Sequence, residues 1–374
     1  SSILSFLPMD DGSPPQESCC LLGRGHALPD NPPLFFVPDP KGKADLTGWI
    51  APPTQCFWTQ RGVQQHVRWW TPKRAQDVLG TLVYLHGYGA HVNRPTCSET
   101  LQALADKGFI VATFDFEGHG YSEGERCFVT DFMVLVADAV AFVRWLLAAD
   151  VEAEDECHLG MPDDFFEKMR QVPYGLLGDS MGGTIALLTG LRCHEGDAAV
   201  YNRFAGVAAV APAVQVGLPS PAVQAFLRHV VVPLMPSSPM PDFVASSAVR
   251  DISQMLADEE IARFAIQDDW GEAKGALGWR KPMKWATAGA FADLFQFLPE
   301  LLPTIAFPFI VAHDPEDKVC FYAGSKLLMS EAKTPAKDKN LVNVAGGLHD
   351  CFTNKREKTV GEFAAFFSQQ MKGR

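Results

Sequence analysis

Six short apolar runs, each closed by glycine or a polar turn, punctuate the chain: Thr81–Gly87 (TLVYLHG), Gly108–Gly120 (GFIVATFDFEGHG), Tyr174–Gly178 (YGLLG), Gly206–Ala213 (GVAAVAPA), Phe307–His313 (FPFIVAH) and Asn340–Gly346 (NLVNVAG). Near-continuous apolar runs of this length predict strands buried on both faces. Between them the period changes. Phe132, Leu135, Val136, Ala139, Val143 and Leu146 fall at helical spacing, which predicts an amphipathic helix over 131–148. Helical patterns also follow Ser180 and the last two apolar runs. Buried strands alternating with helices predict an α/β fold with a mostly parallel sheet covered on both faces.

Two stretches break this alternation. Residues 1–54 are rich in Pro, Gly and Asp, with short apolar islands such as Leu34–Val37, and read as an extension without its own core. Such an extension lies against the main body or a protein partner. Residues 214–304 are punctuated by Pro219, Pro221, Pro233, Pro236, Pro239 and Pro241, with helical patterns at 243–265 and 284–298. They read as a helical cap inserted between two strands, over the C-terminal edge of the sheet. The core then comprises 55–213 and 305–374.

Composition narrows the class. The 374 residues are 47% hydrophobic and 20% charged, enough for a large core. A formal charge of −12 gives no general attraction for nucleic acid. The nine cysteines are mostly scattered and contain no CxxC pair, so neither a disulfide framework nor a zinc site is expected. Reduced thiols fit an intracellular compartment, cytoplasmic or organellar. No run is long enough for a transmembrane helix. The chain begins with Ser rather than Met, so a targeting peptide cannot be read from it.

The third apolar run ends in Gly178-Asp179-Ser180-Met181-Gly182-Gly183, a G-x-S-x-G between a strand and a helix. That context fits a sharp turn that lifts a serine hydroxyl above the sheet edge, with glycines where any side chain would strike the neighbouring strand or helix. Ser180 is the candidate nucleophile. It needs a base, and the base an orienting acid, following in that order. Of His194, His229, His313 and His349, only His349 sits on a loop after a late strand and a glycine pair. Asp314, Glu316 and Asp317 follow the preceding strand. Reach from a loop a few residues past the strand end favours Asp317.

An oxyanion hole needs two N–H donors. The Met181 N–H follows the nucleophile, and the Tyr88 N–H lies in the loop after the first apolar run. His86 is expected to orient that loop. The glycine-dense Asp115–Arg126 lacks the Lys-Ser/Thr ending of a phosphate loop and is expected to brace the site, with His119 and Ser122 structural.

Together, HGYG, FDFEGHGYSEGER, GDSMGG, HDPEDKV and GGLHD resemble the successive motifs of the monoacylglycerol lipase and lysophospholipase group of serine hydrolases, especially its plant and algal members. QRGVQQHVRWWTP and GWRKPMKWATAGAFADL extend the resemblance over about 55–370. It implies the α/β-hydrolase fold, a Ser180–Asp317–His349 triad, and Tyr88 and Met181 as oxyanion donors. Three features depart from the pattern: Asp179 beside the nucleophile, Asp314 where glycine is usual, and a local insertion at His158–Val172. The resemblance implies a hydrolase of long-chain carboxylic esters, monoacylglycerol or lysophospholipid, working without metal or organic cofactor. Phe226, Leu227 and Leu234 in the cap are candidate acyl-binding residues, and the cap is a candidate peripheral membrane contact. A general carboxylesterase, a thioesterase, an acyltransferase, or a binding subunit that has lost its chemistry remain alternatives.

Overall fold

The computed structural model describes residues 56–147, 161–195, 201–241, 251–269, 276–279 and 281–372. The expected extension over 1–54 lies outside them. Eight strands form one sheet in the order β1-β2-β4-β3-β5-β6-β7-β8. They are β1 (Cys56–Trp58), β2 (Gln64–Trp70), β3 (Gly80–Leu85), β4 (Phe109–Phe114), β5 (Tyr174–Asp179), β6 (Phe204–Val210), β7 (Phe309–His313) and β8 (Lys339–Asn343). The last six coincide with the apolar runs and pair in parallel. β1 and β2 pair antiparallel at one edge.

Side-chain alternation splits the core in two. Val83, Leu85, Ile110, Ala112, Leu176, Val207 and Val311 face one layer, with residues of α2 (Phe132–Leu147), α3 (Asp163–Gln171) and α4 (Ser180–Glu195). Leu82, Val111, Leu177, Ala208, Ile310 and Val342 face the other, with α1 (Pro95–Ala105) and the C-terminal helix Arg356–Gln370. This is the α/β-hydrolase fold. The aromatic knot under β1 and β2 is dense: Phe142 is fully buried, with ring centroids 4.6 Å from Phe114, 5.5 Å from Phe57 and 5.6 Å from Trp145.

Between β6 and β7 the chain runs through α5 (Pro221–Phe226), a wider π turn at Leu227–Val231 and a last turn at Val232–Leu234. Among the described residues two further helices follow, α6 (Glu259–Asp269) and α7 (Trp285–Leu301). A helical pattern was expected over 243–265; residues 243–250 lie outside the described residues, and 251–258 hold a 3₁₀ turn at Ile252–Gln254. Asp258 Oδ1 accepts from Glu260 N–H and Ile261 N–H, both at 2.9 Å. That N-cap satisfies the first donors and starts the helix there.

Phe142→Ala should destabilise the protein by about 3–5 kcal/mol, because its ring leaves a cavity among three aromatic neighbours that cannot collapse fully. Urea unfolding of the two proteins measures it.

Candidate active site

The turn from β5 into α4 carries Ser180 at a φ of +51°, a left-handed conformation unusual for serine. Packing demands it. A Cβ on Gly182 would lie 2.0 Å from the Leu85 carbonyl oxygen, and one on Gly178 would lie 2.3 Å from that of Gly182. The helix thus starts in contact with two strands, and the serine is the residue left projecting from the turn. Ser180 Oγ stands 4.0 Å from Cys320 Sγ.

His349 follows β8 in the loop after Gly346 and Gly347, with Leu348 also left-handed at +52°. Its Nδ1–H donates to Asp317 Oδ2 at 2.7 Å. Both side chains are buried. Ser180, Met181, Tyr88 and His349 line one cavity. No hydrogen bond joins Ser180 to His349 among the described residues. Catalytic bonds of this kind often tighten only when substrate is bound.

Of the candidate acids, Asp317 alone reaches the imidazole. Asp314 instead accepts from Leu348 N–H at 2.8 Å and Glu316 N–H at 3.0 Å. It ties the loop after β7 to the loop that carries His349. Glu316 is exposed.

His313, set aside above as a base, has a place that sequence spacing did not suggest. Its Nε2–H points at Asp317 Oδ2 (3.1 Å) and the Cys320 carbonyl (3.0 Å), while Ser325 Oγ meets its Nδ1 at 2.7 Å. Asp317 therefore sits between two imidazoles, and its Oδ1 accepts from Val319 N–H at 2.7 Å. Burial pushes this carboxyl up, but the hydrogen bonds from His313 and His349 outweigh it and hold it well below the usual carboxylate range. The one available signal was that His313 and Asp317 are four residues apart at a strand end.

The loop after β3 places Tyr88 on the same cavity, and neither its N–H nor that of Met181 has an acceptor among the described residues. The latter is a helix-terminal donor without an intrahelical acceptor. His86 accepts from Phe116 N–H through Nε2 at 3.0 Å, so its Nδ1 carries the proton shared with the Gly87 carbonyl at 2.8 Å. Ser122 links β2 to this region, accepting from His66 N–H at 2.9 Å and donating to the Asp115 carbonyl.

Asp179 lies behind the nucleophile. Tyr84 Oη–H donates to its Oδ1 at 2.5 Å. Burial, only partly offset by that bond, pushes its carboxyl up to about 6.

The cavity measures about 880 Å3, towards the upper end for small-molecule sites. Leu227, Val232, Trp279, Trp285, Phe291 and Phe295 line it from the insertion. Phe226 and Leu234 do not line it, which corrects their candidacy as acyl-binding residues. They are 57% and 75% exposed, on the outer side of the run from Pro221 to Leu234. Gln224, Arg228 and His229 interrupt that apolar run and line the cavity beside Leu227, so the side that faces in is the one with the polar residues. Among the described residues no helix is long and apolar enough to cross a membrane.

Known proteins are similar to this chain in sequence and fold. Residues 76–356 match the family described as serine aminopeptidase, S33. The chain is 26% identical to monoglyceride lipase of Homo sapiens over 286 residues, covering 75% of this chain and 78% of that protein. It is 26% identical to monoacylglycerol lipase of Mycolicibacterium smegmatis over 291 residues, covering 78% and 88%. A soluble variant of monoglyceride lipase from Saccharomyces cerevisiae, solved with a substrate analogue, superposes with a TM-score of 0.63 at 17% identity over 87% of this chain and 96% of that one.

The raised Asp179 carboxyl sets a pH signature. A carboxyl raised above its unfolded value of 3.8 contributes stability that is full below about pH 4 and lost as pH rises through about 6. The melting temperature of Asp179→Asn, relative to the unmutated protein, should therefore climb between pH 4 and 7 and level off above. Thermal melts across that range check it.

A serine on a glycine-enforced turn, an acid–histidine pair on the loops after β7 and β8, and a profile match over most of the chain converge: this chain belongs to the serine aminopeptidase S33 family of α/β hydrolases.

Proposed function

We propose that the chain hydrolyses carboxylic esters of long acyl chains, monoacylglycerols or lysophospholipids, through an acyl-enzyme on Ser180. The observation that carries this reading is the Asp317–His349 pair at the base of a large cavity whose other wall is largely apolar. Asp317, held ionised, keeps the proton on Nδ1 of His349 and leaves Nε2 free to accept one. Ser180 Oγ attacks the ester carbonyl as its proton passes to Nε2. The Met181 and Tyr88 N–H groups receive the oxyanion. His349 then gives the proton to the leaving alcohol, and a water repeats the sequence to free the acid. The names of the relatives support a lipid ester over the peptide substrate that the family's description suggests.

The exposed apolar residues of the insertion support a lipid surface as the source of substrate. Val223, Phe226, Val230 and Leu234 recur at helical spacing and are all more than 40% exposed. Phe226→Ser/Leu234→Ser should cut turnover of monoacylglycerol in vesicles several-fold while leaving a soluble short-chain ester unaffected. Parallel assays on the two substrates measure it.

The reading as a whole is tested with monoacylglycerol, lysophospholipid, a short p-nitrophenyl ester and an aminoacyl anilide. Long-chain esters should be preferred. Ser180→Ala should abolish turnover and fluorophosphonate labelling, and Asp317→Asn should lower kcat on the order of 10³–10⁴-fold. Turnover of short esters alone would make it a general esterase. Cleavage of the anilide alone would make it a peptidase.

A further inference from the structure

The loop that carries the Tyr88 N–H is held from two sides. On the core side, Val92 N–H donates to Asp115 Oδ1 at 2.8 Å. On the other side, the insertion closes on it. Trp279 N–H donates to the Gly89 carbonyl at 2.8 Å. A Cβ on Gly89, whose φ is +73°, would lie 2.1 Å from the Trp279 carbonyl oxygen.

Beside this contact lies a buried charge cluster. His91 Nε2–H donates to Asp268 Oδ2 at 2.9 Å, and Arg94 Nη2 donates to the same oxygen at 3.0 Å and to Asp269. Asp268 Oδ1 accepts from Leu277 N–H at 2.8 Å and Gly278 N–H at 3.1 Å. Asp268 is thus bonded at once to the oxyanion loop and to the backbone that delivers Trp279. It is 1% exposed, where an ion pair is screened little by solvent or salt. At the far side of the insertion, Arg228 pairs with Asp293 at 3.0 Å, both well exposed, and such pairs hold weakly.

We propose that Asp268 is a positioning residue for ester cleavage: it latches the insertion onto the loop after β3, so that the Tyr88 N–H is aimed at the oxyanion only while the insertion is seated. The proposal rests on the roles given above to Ser180 and Tyr88. Ground-state substrate is held by the cavity walls, and the latch acts on the transition state. Its loss should therefore appear in kcat and not in KM.

The test is Asp268→Asn in the full chain. The amide keeps an oxygen for Leu277 and Gly278 but removes the charge facing His91 and Arg94. Loss of a whole oxyanion donor costs about 10²–10³ in kcat, so a misaimed one should cost roughly 10-fold or more, with KM within about 2-fold. Affinity for a trifluoromethyl ketone of matching chain length should fall with kcat. Affinity for an unreactive ether of the same length should hold. His91→Ala cuts one bond of the latch and leaves the Arg94 pairing. It should give a smaller effect of the same kind, and it decides the matter if Asp268→Asn does not fold. An unchanged kcat in a folded variant overturns the proposal. So does an equal loss of affinity for ketone and ether, which marks general damage to the cavity. Failure of the hydrolase reading shows separately, as absence of Ser180-dependent turnover in the unmutated protein.

Discussion

The site depends on how closely the first turn of α4 approaches strands β3 and β5. That approach leaves no room for a Cβ at residue 178 or 182 and puts Ser180 into a left-handed conformation that most residues avoid. Such strain persists only where surrounding packing over-determines it, and here the fully buried strands on both sides do so. Three consequences follow from this one contact. The serine side chain has nowhere to go but the cavity. The next N–H is left without a helical acceptor. Asp179 is turned back towards Tyr84, where burial favours its neutral form.

The charge arrangement on the neighbouring loops is built to the same standard. Asp317 is shared by two histidines and by backbone N–H groups, so its ionised form is satisfied on every side although it is buried. Asp314, a departure noted in the sequence, bonds the backbone beside His349 and so fixes one catalytic loop to the other. Above them the insertion contributes apolar side chains on one flank and a buried ionic cluster on the other.

Much of this was legible in the residues. Five of the six parallel strands are buried on both faces, so their apolar runs stood out; β8, at the sheet edge, is buried only at Val342 and departs from that expectation. The glycines around Ser180 identify the turn because only one geometry needs them. β1 and β2 did not stand out. Gln65, His66 and Arg68 of β2 are buried, with Gln65 donating to Asp138 and Arg68 to Asn93, so the strand carries no apolar alternation. The role of His313 was hidden for a similar reason, since a histidine that braces an acid looks in sequence like any strand-end histidine. The acyl-site candidates in the insertion met a different limit. Leu227, Phe226 and Leu234 lie on one helical run whose polar residues Gln224, Arg228 and His229 face the cavity, so the ordinary rule of apolar side inward points the wrong way there.

The central claim is a covalent ester between substrate and Ser180. Incubation of the unmutated protein with a long-chain monoacylglycerol, rapid acid quench over a time course from milliseconds to the steady state, and peptide mass spectrometry test it most directly. An adduct of the mass of the acyl chain on the peptide containing Ser180, absent when Ser180 is alanine, is the predicted result. Turnover of the same ester that persists when Ser180 is alanine, or an adduct on another residue, would contradict the account.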